Sequence, residues 1–228
     1  MIIGTPTGVS LPDIPISECA ERFGQIQKVF VQRTYNNTNV NGFDIDGGEL
    51  LLSTWQDKIF ANDSTKIGVS PYLNSPTMEL GDNRTYTPLM GGVDRLIGQK
   101  PSKFTCELHD IRQDTVLALK SIHMELLSIW LINEDGYIGG VVDNNNSPTF
   151  IQPISICGYF VSDVIPGGFD KPDINRMTLL LPSQWSNRFK ILVPNFDPRE
   201  DLETLEATTT FDSTLITFDS TIETFDAY

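Results

Sequence analysis

Apolar residues in this chain come in short runs, and nearly every run is closed by Gly, Pro, Asn or Asp. That punctuation constrains the fold most, because a brief apolar run between turn residues suits a strand better than a packed helix. KVFVQRTY (28–35) alternates apolar and polar residues, and GELLLSTW (48–55) is bounded by glycines, so both read as strands. KFTCELHD (103–110), SIWLI (128–132), YIGGVV (137–142), ISICGYFVSD (154–163), INRMTLLL (174–181) and RFKILV (188–193) continue the series. NEDG (133–136) supplies a hairpin turn and DNNNSP (143–148) a loop, with further turns at PGGFDKPD (166–173) and PSQWSN (182–187).

One window departs from this pattern. In DTVLALKSIHMELL (114–127) the residues Leu119, Ile122 and Leu126, followed by Ile129, form an apolar stripe at helical spacing, with Asp110 or Asp114 as cap. The expected fold is therefore mainly β with one packed helix, a β-sandwich or barrel-like body. Hydrophobic residues at 39% supply enough material for its core.

Three segments fall outside the pattern. Residues 1–16 carry Pro6, Pro12 and Pro15 with Gly4 and Gly8 and read as an extended arm. Residues 61–103 hold four prolines and five glycines and read as a long loop without regular structure, belonging to a body that spans 1–194. From 195 to 228 the chain is an acidic tail. Asp197-Pro198-Arg199-Glu200 fits the start of a short helix running to about Glu206. The repeat TFDSTLI, TFDSTIE, TFDAY then spaces Phe211, Leu215, Phe218, Ile222 and Phe225 alternately by four and three. Its Thr, Ser and Asp content favours extended structure over a helix. Ordering such segments costs about 1–2 kcal/mol per residue in backbone entropy, which contacts from other chains are expected to offset. Candidate subunit-interface residues are those five and Met90, Leu96 and Ile97 of the central loop.

The formal charge of −14, from 30 acidic and 16 basic residues, opposes adhesion to phosphate backbones and anionic membranes. No apolar stretch is long enough for a membrane-spanning helix, and the first residues lack the basic and apolar regions of a secretory signal. Cys19, Cys106 and Cys157 lie far apart without a CxxC pair and read as reduced thiols.

Chemistry finds no foothold in the motifs. His109 and His123 match no zinc spacing, and neither a nucleophile elbow nor a phosphate loop occurs. The glycine pairs 91–92, 139–140 and 167–168 read as turns. Asp44-Ile45-Asp46-Gly47-Gly48-Glu49 is an acidic turn that lacks most ligands of a calcium loop. Glu107 and Asp110 flank His109, but residues three apart on a strand face opposite sides. The sequence thus points to a protein with no catalytic, cofactor or metal site. Trp130 is expected in the core, whereas Trp185, in a turn, is the tryptophan available to floor a sugar site. A glycan- or protein-binding β-module without catalysis is the alternative reading.

The β-rich body, the helix after KFTCELHD, the GGVDRLIGQKPS arm and the Thr/Asp-rich repeat end together resemble virion structural proteins of tailed bacteriophages. The chain is similar to tail-tube, neck-ring or tail-hub subunits, including those of crAss-like phages of gut Bacteroidetes. That resemblance implies a structural subunit in a homo-oligomeric ring or tube, with other virion proteins as neighbours. It also implies an acidic conduit through which DNA passes without sequence-specific binding. The resemblance implies the virion as its place, after assembly in the host cytoplasm.

Overall fold

The computed structural model describes residues 22–87 and 94–202. At its centre lies LSIWLIN, in which all seven residues are buried. Alternate side chains of this strand enter different cores: Leu127, Ile129 and Leu131 face one cluster, Trp130 and Ile132 the other. A strand covered on both faces needs no polar alternation, which explains its continuous apolar run.

In chain order the strands are β1 (Ile26–Arg33), β2 (Tyr35–Asn36), β3 (Asn39–Val40), β4 (Phe43–Asp44), β5 (Ile67–Val69), β6 (Asn74–Glu79), β7 (Asn83–Tyr86) and β8 (Arg95–Gln99). They continue with β9 (Ser102–His109), β10 (Leu127–Asn133), β11 (Ile138–Val142), β12 (Phe150–Gln152), β13 (Ile154–Ser155), β14 (Gly158–Val161), β15 (Ile174–Leu181) and β16 (Phe189–Leu192). The helices are α1 (Leu52–Ile59) and α2 (Gln113–Ser121). The larger sheet runs β4-β12-β11-β10-β1-β5, with β13 joined to β10 and β16 to β11. The smaller runs β14-β15-β9-β6, and every pairing in both is antiparallel.

The two sheets share one core. Val29, Val31, Leu127, Ile129 and Leu131 of the larger sheet pack with Phe104, Cys106, Leu108, Met177, Leu179 and Leu181 of the smaller. In β15 and β9 every second residue points into that layer, the alternation that the sequence displays. Each fully buried Leu or Phe there contributes about 1.5–3 kcal/mol through removal from water. The opposite face of the larger sheet is closed by α1, whose Trp55 and Ile59, four residues apart, reach Phe30, Phe43 and Trp130.

Several expectations are corrected. GELLLSTW is not a strand: Gly48–Leu50 forms a 3-10 turn and Leu52–Ile59 the helix α1. The physical reason is the Trp55/Ile59 spacing, which buries both side chains from one helical face, with the Trp55 indole donating to the Glu49 carbonyl at 2.8 Å. Among the described residues the body therefore carries two α-helices rather than one. Where 61–103 was expected to lack regular structure, β5 to β8 and the start of β9 are found. The helix α2 stops at Ser121 and is begun by Arg112 without a side-chain cap, so neither Asp110 nor Asp114 caps it. Leu119 and Ile122 pack on the core, but Leu126 is exposed and Ile129 belongs to β10.

Gly139 and Gly140 do not form a turn; they lie within β11. A Cβ on Gly140 would stand 2.6 Å from the Trp130 ring, so only glycine admits that indole. Gly167 and Gly168 lie in the connection between β14 and β15, Gly168 at φ +79°, and Gly91 and Gly92 lie outside the described residues. At the end, Glu200 and Asp201 both donate to the Asp197 carbonyl, one helical turn as far as the description extends. Phe196 and Leu202 pack on the core, so the body continues past residue 194 to Leu202. The arm at 1–16 and the repeat at 208–228 lie outside the described residues.

Candidate interaction surfaces

The pair β6–β9 does not end at the body. Glu79 lies opposite Lys103, Lys100 donates its amide to Asp82 at 2.8 Å, and Asn83 opposite Gln99 begins the pair β7–β8. The result is one antiparallel ribbon that leaves the smaller sheet as an arm. At the junction a Cβ on Gly81 would stand 1.9 Å from the Lys100 carbonyl oxygen, so glycine alone lets the two strands pass. All four residues of β7 and the first four of β8 are exposed.

The arm carries apolar side chains into water. Tyr86 is 54% exposed, Leu96 67% and Ile97 63%, with Leu80 at 74% near its base. Arg84 pairs with Gly98 but Thr85 with Leu96, which makes Ile97 the extra residue of a β-bulge. Such a bulge re-aims side chains locally. From Asp82 to Lys100 the arm carries three bases, Arg84, Arg95 and Lys100, against two acids, Asp82 and Asp94, so it is slightly basic within an acidic protein.

A second apolar surface lies at the β14–β15 connection. Ile165 and Ile174 exchange both backbone hydrogen bonds, at 2.8 and 3.0 Å, and the Gly167 amide donates to the Asp173 carboxylate at 2.9 Å. These bonds close a tight loop with Phe169 at its tip, 108% exposed. Phe160, Val164 and Ile165 are exposed nearby, and Asp163, Asp170 and Asp173 make the loop acidic against the single Lys171. Asp163 is held below the usual carboxylate range, first by a hydrogen bond from Lys120 and then by its charge.

Other candidates resolve as structural. Among the described residues no three His, Cys, Asp or Glu side chains group to hold a metal. In the acidic turn, Asp46 accepts from the Gly48 amide at 2.8 Å and Glu49 from the Gly47 amide at 2.7 Å. Those carboxylates serve the backbone. Glu107 and His109 share the outer face of β9, 3.3 Å apart, and Arg176 of the neighbouring strand also reaches Glu107 at 3.3 Å. The hydrogen bond from His109, then that from Arg176, keeps the Glu107 carboxyl below its ordinary range. Asp110 turns away from both and accepts the Asp173 amide.

A cleft of about 400 Å³ opens between α2 and the β1–β5 edge, lined by Val31, Val69, Ala118, Leu119 and Ile122. At its mouth Arg33 grips Glu125 through two hydrogen bonds, which lower the Glu125 pKa. Trp55 and Trp130 are fully buried. Trp185 is half-buried and stands edge-on to Phe189 at 5.5 Å, against the shared core. Trp55 and Trp130 are thereby withheld from a sugar, whereas Trp185 keeps part of its surface in contact with solvent.

Of the interface candidates read from sequence, Leu96 and Ile97 stand exposed on the arm. Met90, Phe211, Leu215, Phe218, Ile222 and Phe225 lie outside the described residues. Sequence reading missed Tyr86 and Phe169. Phe169 was legible in principle, as an aromatic residue set between a glycine pair and an aspartate. No protein-family model matches the sequence, and no curated protein matches it.

Proposed function

We propose that this chain is a structural subunit of a multi-subunit assembly and that the β7–β8 arm joins it to its neighbours. The observation that carries this reading is the arm itself. A two-stranded hairpin in water is at best marginally stable, and this one presents Tyr86, Leu96 and Ile97 to solvent on both strands. Contacts with another chain offset that exposure, as clustered surface apolar residues commonly do at interfaces.

Within that class, the resemblance to tailed-phage tube, neck-ring and hub subunits favours a ring or tube component that forms a conduit for DNA. The net charge of −14 supports it, since an acidic wall lets a polyanion slide without sticking. The core shared by the two sheets supports a sandwich as its building unit. The location that follows is the virion, with assembly in the host cytoplasm. Mass photometry of the purified chain over rising concentration, with negative-stain imaging, tests the reading. Closed rings or stacked rings with a central channel are expected, and Leu96→Ser with Ile97→Ser should shift the population to single copies without lowering the melting temperature. A chain that stays monomeric at high concentration overturns self-assembly.

A further inference from the structure

The arm and the Phe169 loop sit at opposite ends of the same sheet. In the β9–β15 pairing Leu181 lies opposite Ser102 and Ile174 opposite His109. The arm leaves the chain just before Ser102, whereas the loop ends at Ile174. Eight paired residues set these two ends roughly 20–25 Å apart. One copy cannot fold its arm onto its own loop along that axis. A second copy, placed end to end with the first, can receive it.

We infer that the arm of one copy docks on the Phe169 loop of the next, so that subunits join head to tail. This rests on the proposed assembly role and adds its partner and its surface. The chemistry of the two ends is complementary. The arm offers Tyr86, Leu96 and Ile97 with Arg84; the loop offers Phe169, Val164 and Ile165 with Asp170. Apolar side chains meet at the centre while opposite charges frame them, the layout of a specific interface. Phe169 is also pre-positioned. The Ile165–Ile174 bridge, the Gly167–Asp173 hydrogen bond and Gly168 at φ +79° fix the loop before any partner arrives. A held aromatic anchor loses little freedom on docking.

Such an interface is heterologous, the surfaces on the two partners being different, so it propagates into a closed ring or an open filament. It also predicts complementation, which an arm-to-arm contact does not. The test uses two full-length variants, Leu96→Ser/Ile97→Ser and Phe169→Ser, each checked for an unchanged melting temperature. Both sites are exposed, so folding should survive. Each variant alone should bind itself roughly tenfold or more weakly than the wild type does. Mixed in equal amounts, they should form dimers that grow no further, because one live arm meets one live loop. As a second reading, Arg84→Glu should weaken assembly and Asp170→Arg should restore part of it in that background.

Three results overturn the inference. If Phe169→Ser assembles like the wild type, or the mixture remains monomeric, the loop is not the receptor and the assembly role still stands. If the wild type itself is strictly monomeric, both fall together.

Discussion

The ammonium of Lys28, near the start of β1, donates a hydrogen bond to the backbone carbonyl of Arg199, 171 residues later in the chain. Lys28 is only 2% exposed and also lies 4.1 Å from the centre of the Tyr72 ring. Arg199 reaches the Glu134 carbonyl and grips Asp197, and its hydrogen bonds to Asp197 hold that carboxyl below its usual range. One buried cation thus fastens the last described turn to the body at the point where the acidic tail departs.

Lys28→Met keeps the apolar stem and removes the donor, leaving the Arg199 carbonyl without that partner. A buried polar group deprived of its partner costs about 1–3 kcal/mol. The melting temperature should fall by several degrees. Limited proteolysis between Asn195 and Leu202 should quicken before the rest of the body is cut. Unchanged melting would show that Phe196, Leu202 and the Arg199–Glu134 bond hold the turn without Lys28.

Gly81→Ala tests the ribbon junction. Its Cβ would meet the Lys100 carbonyl oxygen at 1.9 Å and the carbonyl carbon at 2.5 Å, both backbone atoms. The strands must separate there. Overpacking of this kind costs about 1–3 kcal/mol, and the loss should concentrate in the arm. Hydrogen exchange by mass spectrometry should show faster exchange over 83–99 than in the wild type, with β10 and β15 unaffected. Equal protection in the arm would mean that the junction yields without strain.

The legibility of this fold follows from burial. INRMTLLL and KFTCELHD announce themselves because one face of each is buried and the other wet, so the period of two is written in the residues. The arm strands NRTY and RLIGQ are exposed on both faces, and a strand without a buried face carries no alternation to read. For that reason 61–103 reads as irregular. The helix α1 is hidden for the opposite reason: three consecutive leucines mimic a strand, and only the Trp55/Ile59 spacing points to a helix. The stripe predicted for α2 runs on to Ile129 because tertiary pairing claims that residue, opposite Val31 on β1. Leu96 and Ile97 are legible as interface candidates because apolar residues stand out in a polar, glycine-rich stretch. Phe169 carries a weaker signal, an aromatic residue among the turn formers of PGGFDKPD, which read first as a connection and only then as an exposed ring.

Asp143 gives the fold a defined response to acid. Its carboxylate accepts from the Thr149 hydroxyl at 2.8 Å and from the Thr149 and Phe150 amides at 3.1 Å. The Thr149 hydroxyl leads in holding its pKa down to about 2, with the Phe150 amide next. A carboxyl with a folded pKa below its unfolded value of about 3.9 stabilises fully above that value. Its contribution fades as pH falls from about 4 through about 2. Asp143→Asn should therefore lower the melting temperature at neutral pH and flatten its decline across that acid window. A variant whose melting curve against pH parallels the wild type would show that Asp143 is not a source of the acid response.

The two described cysteines should differ sharply in reactivity. Cys106 is fully buried between the sheets, and burial pushes its thiol up to about 12, with the neighbouring Glu107 charge adding to the rise. Cys157 is exposed, with its amide bonded to the Leu180 carbonyl at 2.7 Å. Only the thiolate attacks an alkylating reagent, so a thiol that is both covered and hard to ionise reacts only when the structure opens. In a Cys19→Ser background, iodoacetamide at pH 8 should modify Cys157 promptly and leave Cys106 untouched, as peptide mapping would read. Denaturant should release the second thiol along the same transition that unfolds β9 and β15. Modification of Cys106 at the rate of Cys157 in native buffer would mean that the shared core between the two sheets opens far more readily than its packing allows.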